Sequence, residues 1–166
     1  MLIFLIGFMG CGKSYVGRNL APLLNFEYID ADKYIEEKEG ITVKEIFEQK
    51  GEEYFRKQEK LFLEQLNPQQ NIVVSTGGGA PCFFDNMDVM NNKGITVYLN
   101  RNKEKTIWRL LKGQYKRPLI AHLNKEELEK FYDEKLISRE PFYVKAKIHA
   151  GDSDVNEIME MIKSYL

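Results

Sequence analysis

Short apolar segments alternate with longer amphipathic segments along the chain. The apolar segments are rich in β-branched and aromatic residues and predict five strands, at Leu2–Ile6, Phe26–Ile29, Ile72–Val74, Ile95–Leu99 and Ala146–His149. Between them, apolar residues recur at helical spacing and predict helices at Lys13–Leu24, Val43–Lys50, Tyr54–Leu66, Lys103–Lys112, Lys125–Val144 and Val155–Leu166. Strands that alternate with helices predict an α/β fold, with a parallel sheet covered by helices on both faces.

Local signals set several helix boundaries. Thr42 begins a capping-box pattern at the start of one helix. Ser153 or Asp154 can cap the last helix in the same way. Pro22 lies inside the first helical pattern and predicts that this helix kinks, or ends near Ala21.

Size and composition fit one compact domain. The chain has 166 residues and a formal net charge of -1, without the basic excess that is typical of a general nucleic-acid binder. No apolar run approaches the roughly 20 residues that span a bilayer. Cys11 and Cys82 lack the spacing of a disulfide framework or a metal site, which favours a reduced setting. We therefore expect one cytoplasmic domain over residues 1–166, monomeric, with no membrane or nucleic-acid partner.

The segment Gly7–Ser14 matches the phosphate-loop pattern G-x-x-x-x-G-K-[ST] and lies between a predicted strand and a predicted helix. Glycines allow main-chain N–H groups to close around phosphate oxygens, Lys13 reaches the β- and γ-phosphates, and Ser14 is a ligand for Mg²⁺. The alternative is a glycine-rich turn without a ligand. We expect ATP and Mg²⁺ to bind here, with nucleotide contacts from Gly10, Cys11, Gly12, Lys13, Ser14 and Tyr15.

Other P-loop classes share this motif, and three absences from the sequence narrow the choice. There is no N-K-x-D motif for guanine and no D-x-x-G switch motif. The third predicted strand is followed by Ser75, where a motor or a switch GTPase would be expected to place an aspartate. The sequence therefore favours a kinase over a motor or a switch.

Two acids, Asp30 and Asp32, follow the second predicted strand. The carboxyl ends of parallel strands meet at the edge of the sheet where ligands bind, and residues two apart on an extended segment point the same way. One acid can hold hydrated Mg²⁺ while the other meets the acceptor hydroxyl. The alternative is that one of them, such as Asp32, only caps the next helix.

Arginines and glycines add a candidate acceptor site. Arg56 and Glu59 share a helix face, which is also the pattern of an ordinary surface ion pair. The triplet Gly77–Gly79 after a buried strand indicates a close approach to the main chain, by a ligand or within a tight turn. The polar stretch 113–124 is a loop candidate in which Arg117 can reach the γ-phosphate. Arg56 and Arg139 together indicate an acceptor with a carboxylate.

The combined pattern resembles bacterial shikimate kinase. The matching elements lie in family order over nearly the whole chain, at Gly7–Ser14, Asp30–Asp32, Phe55–Arg56 with Glu59, Ser75–Gly79, Arg117–Leu119 and Arg139–Tyr143. The resemblance implies a single-domain P-loop kinase with a five-stranded parallel sheet in the order 2-3-1-4-5, flanked by helices. It also implies a mobile lid at about residues 112–124 and a substrate-binding helical segment at about residues 32–60.

The resemblance further implies the reaction and the residue roles. ATP and shikimate would give ADP and shikimate 3-phosphate with Mg²⁺, in chorismate and aromatic amino acid biosynthesis. On the acceptor side, Asp32 would bind the ring hydroxyls, including the one that is phosphorylated, and Arg56 and Arg139 would bind the carboxylate. The rest of the pocket would be formed by Glu59, Gly77, Gly78 and Gly79. The main-chain N–H of Gly78 would donate a hydrogen bond to the substrate. On the nucleotide side, Lys13 and Arg117 would hold the transferring phosphoryl group, Ser14 and Asp30 the Mg²⁺, and Arg109 the adenine.

Two alternatives remain open. Another P-loop metabolite kinase, such as one that acts on gluconate, would use the same phosphate loop, and gluconate also carries a carboxylate. A nucleotide-binding regulator or a degenerate pseudokinase would bind the nucleotide without phosphoryl transfer.

Overall fold

Five parallel strands form one sheet in the computed structural model, which describes residues 1–117 and 119–166. The strands are β1 (Leu2–Ile6), β2 (Glu27–Asp30), β3 (Ile72–Ser75), β4 (Gly94–Tyr98) and β5 (Ile148–His149). Their order across the sheet is β2-β3-β1-β4-β5, and every neighbouring pair is parallel. The prediction of an α/β fold with the strand order 2-3-1-4-5 is confirmed.

Helices connect the strands and flank the sheet. Within the described residues they are α1 (Lys13–Leu24), α2 (Ala31–Glu39), α3 (Val43–Lys50), α4 (Glu52–Gln65), α5 (Asn86–Lys93), α6 (Lys103–Lys112), α7 (Lys125–Tyr143) and α8 (Val155–Lys163). Short 3₁₀ turns lie at Ala80–Cys82 and Gln114–Lys116. None of the helices in the described ranges has the length and apolar character needed to cross a lipid bilayer.

The central strand β1 is buried on both of its faces. Ile3 and Leu5 pack with side chains of α1 and α8 on one face of the sheet. Leu2, Phe4 and Ile6 point to the opposite face and pack with side chains of α4, α5 and α7. A strand enclosed on both sides reads as a continuous apolar run, as this one does. The loop that follows β1 therefore starts from the fully buried centre of the sheet.

Two smaller apolar clusters support the segments around that loop. One joins the loop after β1 to α6, α7 and the segment between them, through Phe8, Ile107, Leu110, Ile120, Leu128 and Tyr132. The other joins α2, α3 and α4 through Ile35, Ile46 and Phe55. The segments predicted to act as lid and as substrate-binding region each have an apolar cluster outside the two main core clusters. Pro118, which the sequence assigns to the lid, lies outside the described residues.

Pro22 predicted that helix α1 kinks or ends near Ala21. The second alternative is wrong, because the helix continues to Leu24. A proline in the last turn removes only the hydrogen bond to the carbonyl four residues earlier, that of Arg18. Both Arg18 and Pro22 are exposed, so water can hydrate this carbonyl. The helix ends instead at Asn25, whose backbone is left-handed with φ 56°.

The helix caps follow local sequence with one correction. Thr42 forms the expected capping box of α3, and Asp154 forms that of α8. Helix α2 is capped by Asp30, whose carboxylate accepts a hydrogen bond from the N–H of Lys33 at 3.4 Å. The alternative that one of the two acids caps this helix is therefore confirmed for Asp30. It is wrong for Asp32, which lies inside the first turn of α2.

Candidate active site

The phosphate loop, β2 and β3 deliver their residues to one edge of the sheet. Asp30 at the end of β2 pairs in register with Ser75 at the end of β3, and Ser75 pairs with Leu5 of β1. The chain then enters the phosphate loop, where Gly10 and Gly12 have left-handed backbones with φ 76° and φ 92°. Residues that carry a side chain rarely adopt these backbone angles, which explains why both positions are glycine.

Lys13, the first residue of α1, is buried against its own loop. Its ammonium group donates hydrogen bonds to the carbonyl oxygens of Gly7 and Phe8, at 2.8 and 2.9 Å. These carbonyls hold the charge within the loop, at the N-terminus of a helix. A buried ammonium beside a helix N-terminus favours an anionic ligand.

Ser14 and Asp30 lie together next to Lys13. The Ser14 hydroxyl donates to Oδ2 of Asp30 at 3.0 Å. The Tyr28 hydroxyl lies 3.4 Å from the same oxygen and 3.2 Å from Oγ of Ser75. A hydroxyl and a carboxylate are oxygen ligands of the kind that Mg²⁺ prefers.

Asp32, in the first turn of α2, is a desolvated carboxyl group. Its Oδ1 atom is buried and has no hydrogen-bond partner among the described residues. Burial raises the pKa of Asp32 to about 6; Asp30 adds to this effect and Lys13 opposes it. A carboxylate held without a protein donor is suited to accept a hydrogen bond from a ligand hydroxyl.

Arg56 is held in place from three sides. Its Nη1 donates to Oε2 of Glu59 at 2.8 Å, and its Nε and Nη2 donate to Oε1 of Glu52 at 3.3 and 3.1 Å. The guanidinium also stacks on the ring of Phe83, 4.3 Å from the ring centroid. Glu59 is buried, and burial raises its pKa to about 7 although Arg56 opposes the shift. The Arg56–Glu59 pair is therefore a buried ion pair rather than the surface pair that spacing alone allows.

The glycine triplet fits closely among these charged groups. A Cβ atom on Gly77 would lie 2.5 Å from Oε1 of Glu59, and one on Gly79 would lie 2.7 Å from both terminal nitrogens of Arg56. The close approach that the triplet indicated is thus made by side chains of the site itself. Gly78 borders the phosphate loop, since its Cβ would lie 3.2 Å from the main-chain nitrogen of Met9.

Arg139 on α7 completes this cluster from the opposite side. It is 8% exposed, and its Nη1 atom has no hydrogen-bond partner among the residues that the structure describes. The same atom would lie 3.5 Å from a Cβ on Gly78, and the guanidinium carbon lies 5.7 Å from the ring centroid of Phe8. The structure therefore brings Asp32, Arg56, Glu59, Arg139 and the glycine triplet together beside the phosphate loop.

The remaining candidates are spread around this centre. Arg109 lies over the phosphate loop, with Nη1 3.4 Å from a Cβ placed on Gly12. The guanidinium of Arg117 donates a hydrogen bond to the carbonyl of Gly113, in its own segment, at 3.2 Å. The structure therefore does not bring Arg117 together with Lys13. Cys11 is buried and Tyr15 is 68% exposed. At Cys11, only the main chain can therefore meet a nucleotide.

Sequence reasoning missed three neighbours of the site: Glu52, Phe83 and Tyr28. Glu52 precedes Arg56 by one helical turn, a spacing that could have identified it. Phe83 approaches Arg56 only through the folded chain. Tyr28 precedes Asp30 by two residues on β2, so strand alternation could have placed both side chains on one face. Neither aromatic side chain carries a local signal that separates it from core residues.

The phosphate loop lies next to the glycine turn after β3, and buried charged side chains enclose this turn. This arrangement defines a class of protein, the P-loop kinases that act on a small acceptor molecule. Comparison with known proteins is more specific. The family model described as shikimate kinase matches residues 9–166. A shikimate kinase of Parabacteroides distasonis is 42% identical over 99% of this chain and 98% of the relative. The chain belongs to the shikimate kinase family.

Solved structures agree with this assignment. The crystal structure of shikimate kinase from Bacteroides thetaiotaomicron has a TM-score of 0.92 and 38% identity, covering 98% of each chain. Shikimate kinase from Acinetobacter baumannii in complex with shikimate has a TM-score of 0.89 and 34% identity, covering 99% of this chain and 93% of the other. Both similarities extend over nearly the whole of this chain.

Proposed function

We propose that this protein transfers the γ-phosphoryl group of ATP to the 3-hydroxyl of shikimate and releases ADP and shikimate 3-phosphate. Family membership supports the reaction, and the site supports the acceptor. The reaction would serve chorismate and aromatic amino acid biosynthesis. The protein would act as a monomer in the cytoplasm, without a nucleic-acid or membrane partner.

One observation carries the choice of acceptor. The buried polar side-chain atoms without a partner in the described structure include Oδ1 of Asp32 and Nη1 of Arg139. An unpartnered carboxylate oxygen suits a hydroxyl, and an unpartnered guanidinium nitrogen suits a carboxylate. Shikimate carries ring hydroxyls and a carboxylate on one small ring, so it can satisfy both atoms at once.

The nucleotide would bind on the phosphate loop, through the residues Gly10 to Tyr15. Lys13 would leave the carbonyls of Gly7 and Phe8 and turn to the β- and γ-phosphates, where its charge stabilises the transferring group. Arg109 would lie against the adenine. Arg117 would leave the Gly113 carbonyl and approach the γ-phosphate as a lid at about 112–124 closes.

Ser14 and Asp30 fit Mg²⁺ by the chemistry of their oxygen donors. In the described part of the chain, no group of three or more histidine, cysteine or acidic side chains could hold a metal ion. A site with two side chains agrees with the habit of Mg²⁺, which is usually held by one or two protein ligands, water and phosphates. When bound, Mg²⁺ would neutralise charge on the β- and γ-phosphates.

Asp32 would orient the acceptor hydroxyl and take its proton as the oxygen attacks phosphorus. Its pKa of about 6 suits this role, since the group is mostly ionised at neutral pH yet still a usable base. Arg56 and Arg139 would hold the acceptor carboxylate from two sides. Glu59 and Glu52 would fix the orientation of Arg56.

A coupled assay of ADP release with shikimate or gluconate as acceptor tests the proposal. We expect Mg²⁺-dependent turnover with shikimate, at least about 100-fold above that with gluconate. The ring of shikimate holds its carboxylate and hydroxyls in fixed positions, whereas the open chain of gluconate loses conformational freedom when it binds. Preferred turnover of gluconate would support the other metabolite kinase. Nucleotide binding without turnover of either acceptor would support a regulator or pseudokinase.

A further inference from the structure

The carbonyl oxygen of Gly78 accepts a hydrogen bond from the hydroxyl of Tyr143 at 2.5 Å. Tyr143 is fully buried on α7, one helical turn after Arg139. Burial raises the pKa of Tyr143, so its hydroxyl keeps the proton that it donates. The helix that carries one arginine of the acceptor cluster is thus bonded directly to the middle glycine of the triplet.

This hydrogen bond fixes more than the carbonyl. The described chain contains no cis peptide bond, and in a trans peptide the C=O and the following N–H point in opposite directions. A hydroxyl that holds the Gly78 carbonyl therefore also sets the direction of the Gly79 N–H, which points away from Tyr143.

The main-chain donors at this turn are free to meet a ligand. The N–H groups of Gly78 and Gly79 meet no acceptor from any described residue. Gly78 lies next to Arg139 and Gly79 next to Arg56, as the positions of their missing Cβ atoms show. Two unpaired N–H groups between two guanidinium groups make an anion-binding turn.

We propose that Tyr143 is a positioning residue for the acceptor: its hydroxyl fixes the Gly78–Gly79 peptide so that the Gly79 N–H becomes a further donor to the acceptor carboxylate. This inference rests on the proposed function, because it requires a carboxylate acceptor such as shikimate. Glycine has the widest backbone freedom of any residue, so a glycine turn without a brace would lose the donor direction.

Tyr143→Phe tests the inference, because it removes the hydroxyl and keeps the buried ring. We expect the KM for shikimate to rise about 5-fold, as for the loss of one buried hydrogen bond, while kcat and the KM for ATP stay within about 2-fold. The dissociation constant of shikimate, measured by calorimetry, should rise by the same factor.

Tyr98→Phe is a matched control. Tyr98 is 3% exposed, its ring centroid lies 5.1 Å from that of Tyr143, and its hydroxyl donates to Oε2 of Glu140 at 2.7 Å. This variant loses a buried hydroxyl beside the same helix without touching the glycines. Its KM for shikimate should match the parent's.

The outcomes separate the inference from the proposed function. A parent enzyme that does not phosphorylate shikimate would overturn both. With an active parent, the inference alone fails if Tyr143→Phe leaves the KM for shikimate unchanged, or lowers only kcat. It also fails if Tyr98→Phe raises this KM equally, since the effect would then be general packing.

Discussion

At the scale of single residues, the site holds groups that favour ligand binding over stability. Asp32 is the clearest example, since its buried Oδ1 atom has no partner among the described residues. Burying a charged group without a partner costs free energy, and the raised pKa of Asp32 records this cost. The same desolvation leaves the carboxylate ready for a substrate hydroxyl. The proposed role of Asp32 therefore opposes function to stability at this position.

We predict that Asp32→Asn stabilises the free protein while it lowers kcat by about 100-fold or more. The pKa of Asp32 is raised from 3.8 to about 6, so the folded chain binds this proton more tightly than the unfolded chain does. The ionised Asp32 carboxylate therefore does not destabilise the folded parent protein below the unfolded pKa of 3.8, and its full destabilising effect is present above about pH 6. At pH 7.5 the gain can reach about 3 kcal/mol.

Denaturant unfolding at pH 4 and pH 7.5 measures this effect. The difference in unfolding free energy between variant and parent should be small at pH 4 and largest at pH 7.5. Asp88→Asn, which changes an exposed acid on α5, should alter stability by less than about 0.5 kcal/mol at either pH. A variant that is less stable than the parent at pH 7.5 would contradict the account of Asp32.

For Arg139→Ala we predict a rise in the KM for shikimate of about 100-fold, with a smaller change in kcat. The substrate carboxylate stays bound in the ground state and in the transition state. Loss of the arginine therefore weakens the binding of both states equally. Steady-state kinetics with varied shikimate measure this split. Lys130→Ala, at an exposed position on the same helix α7, is the control and should leave both constants unchanged. A fall in kcat at constant KM would assign Arg139 to the transferring phosphoryl group instead.

At the scale of elements, the turn after β3 shows how tightly the glycines fit. The backbone of Gly77 is not left-handed, so an alanine there meets no backbone strain. Its Cβ would nevertheless lie 2.5 Å from Oε1 of Glu59 and 3.0 Å from Oδ1 of Asp32. We predict that Gly77→Ala destabilises the fold by about 1–3 kcal/mol and raises the KM for shikimate, since Glu59 must shift together with Arg56.

A double-mutant cycle on unfolding free energies tests this explanation. In a Glu59→Ala background the clashing carboxylate is gone, so Gly77→Ala should cost less than in the parent. Equal costs in the two backgrounds would mean that the loss comes from the turn itself and not from contact with Glu59.

The elements differ in how far the sequence predicts them. β1, the phosphate loop and α1 follow from adjacent residues, because a buried strand, a glycine motif and a helical pattern occur in succession. Helix α5 cannot be predicted from adjacent residues in this way, because its sequence is short and polar and buries only Asn86, Met87 and Met90. Its stability comes from packing against the sheet, which a local pattern does not reveal.

The candidate site divides in the same way. Its charged residues were predictable from motif and resemblance, because each has a recognisable chemical role. Their mutual contacts were not, since Phe83 reaches Arg56, and Tyr143 reaches Gly78, only across the fold. The prediction that α1 ends near Ala21 was wrong for a different reason. The final turn of this helix is exposed, so it tolerates the loss of the hydrogen bond that proline removes.

At the scale of the whole molecule, the phosphate loop is tied to the segment that carries Arg117. Phe8 of the loop packs in one cluster with Ile120 and with Tyr132 of α7, and its ring centroid lies 4.7 Å from that of Tyr132. The segment itself is held by local contacts, including the bond from Arg117 to the Gly113 carbonyl. Burial lowers the pKa of Arg117, whose guanidinium is bonded to a neutral carbonyl. A phosphate anion would be a stronger partner for this charge.

We therefore predict that ligands reorder this segment through Arg117. Amide hydrogen exchange at Ile120 and Leu123 should slow when ADP, Mg²⁺ and shikimate bind together, while exchange in α8, on the opposite face of the sheet from α7, should not change. Arg117→Ala should abolish the slowing and lower kcat by about 1,000-fold, as for an arginine that stabilises the transferring phosphoryl group. If exchange slows equally in the variant, closure depends on the packing around Phe8, and the bond from Arg117 to Gly113 is a structural contact with no part in catalysis.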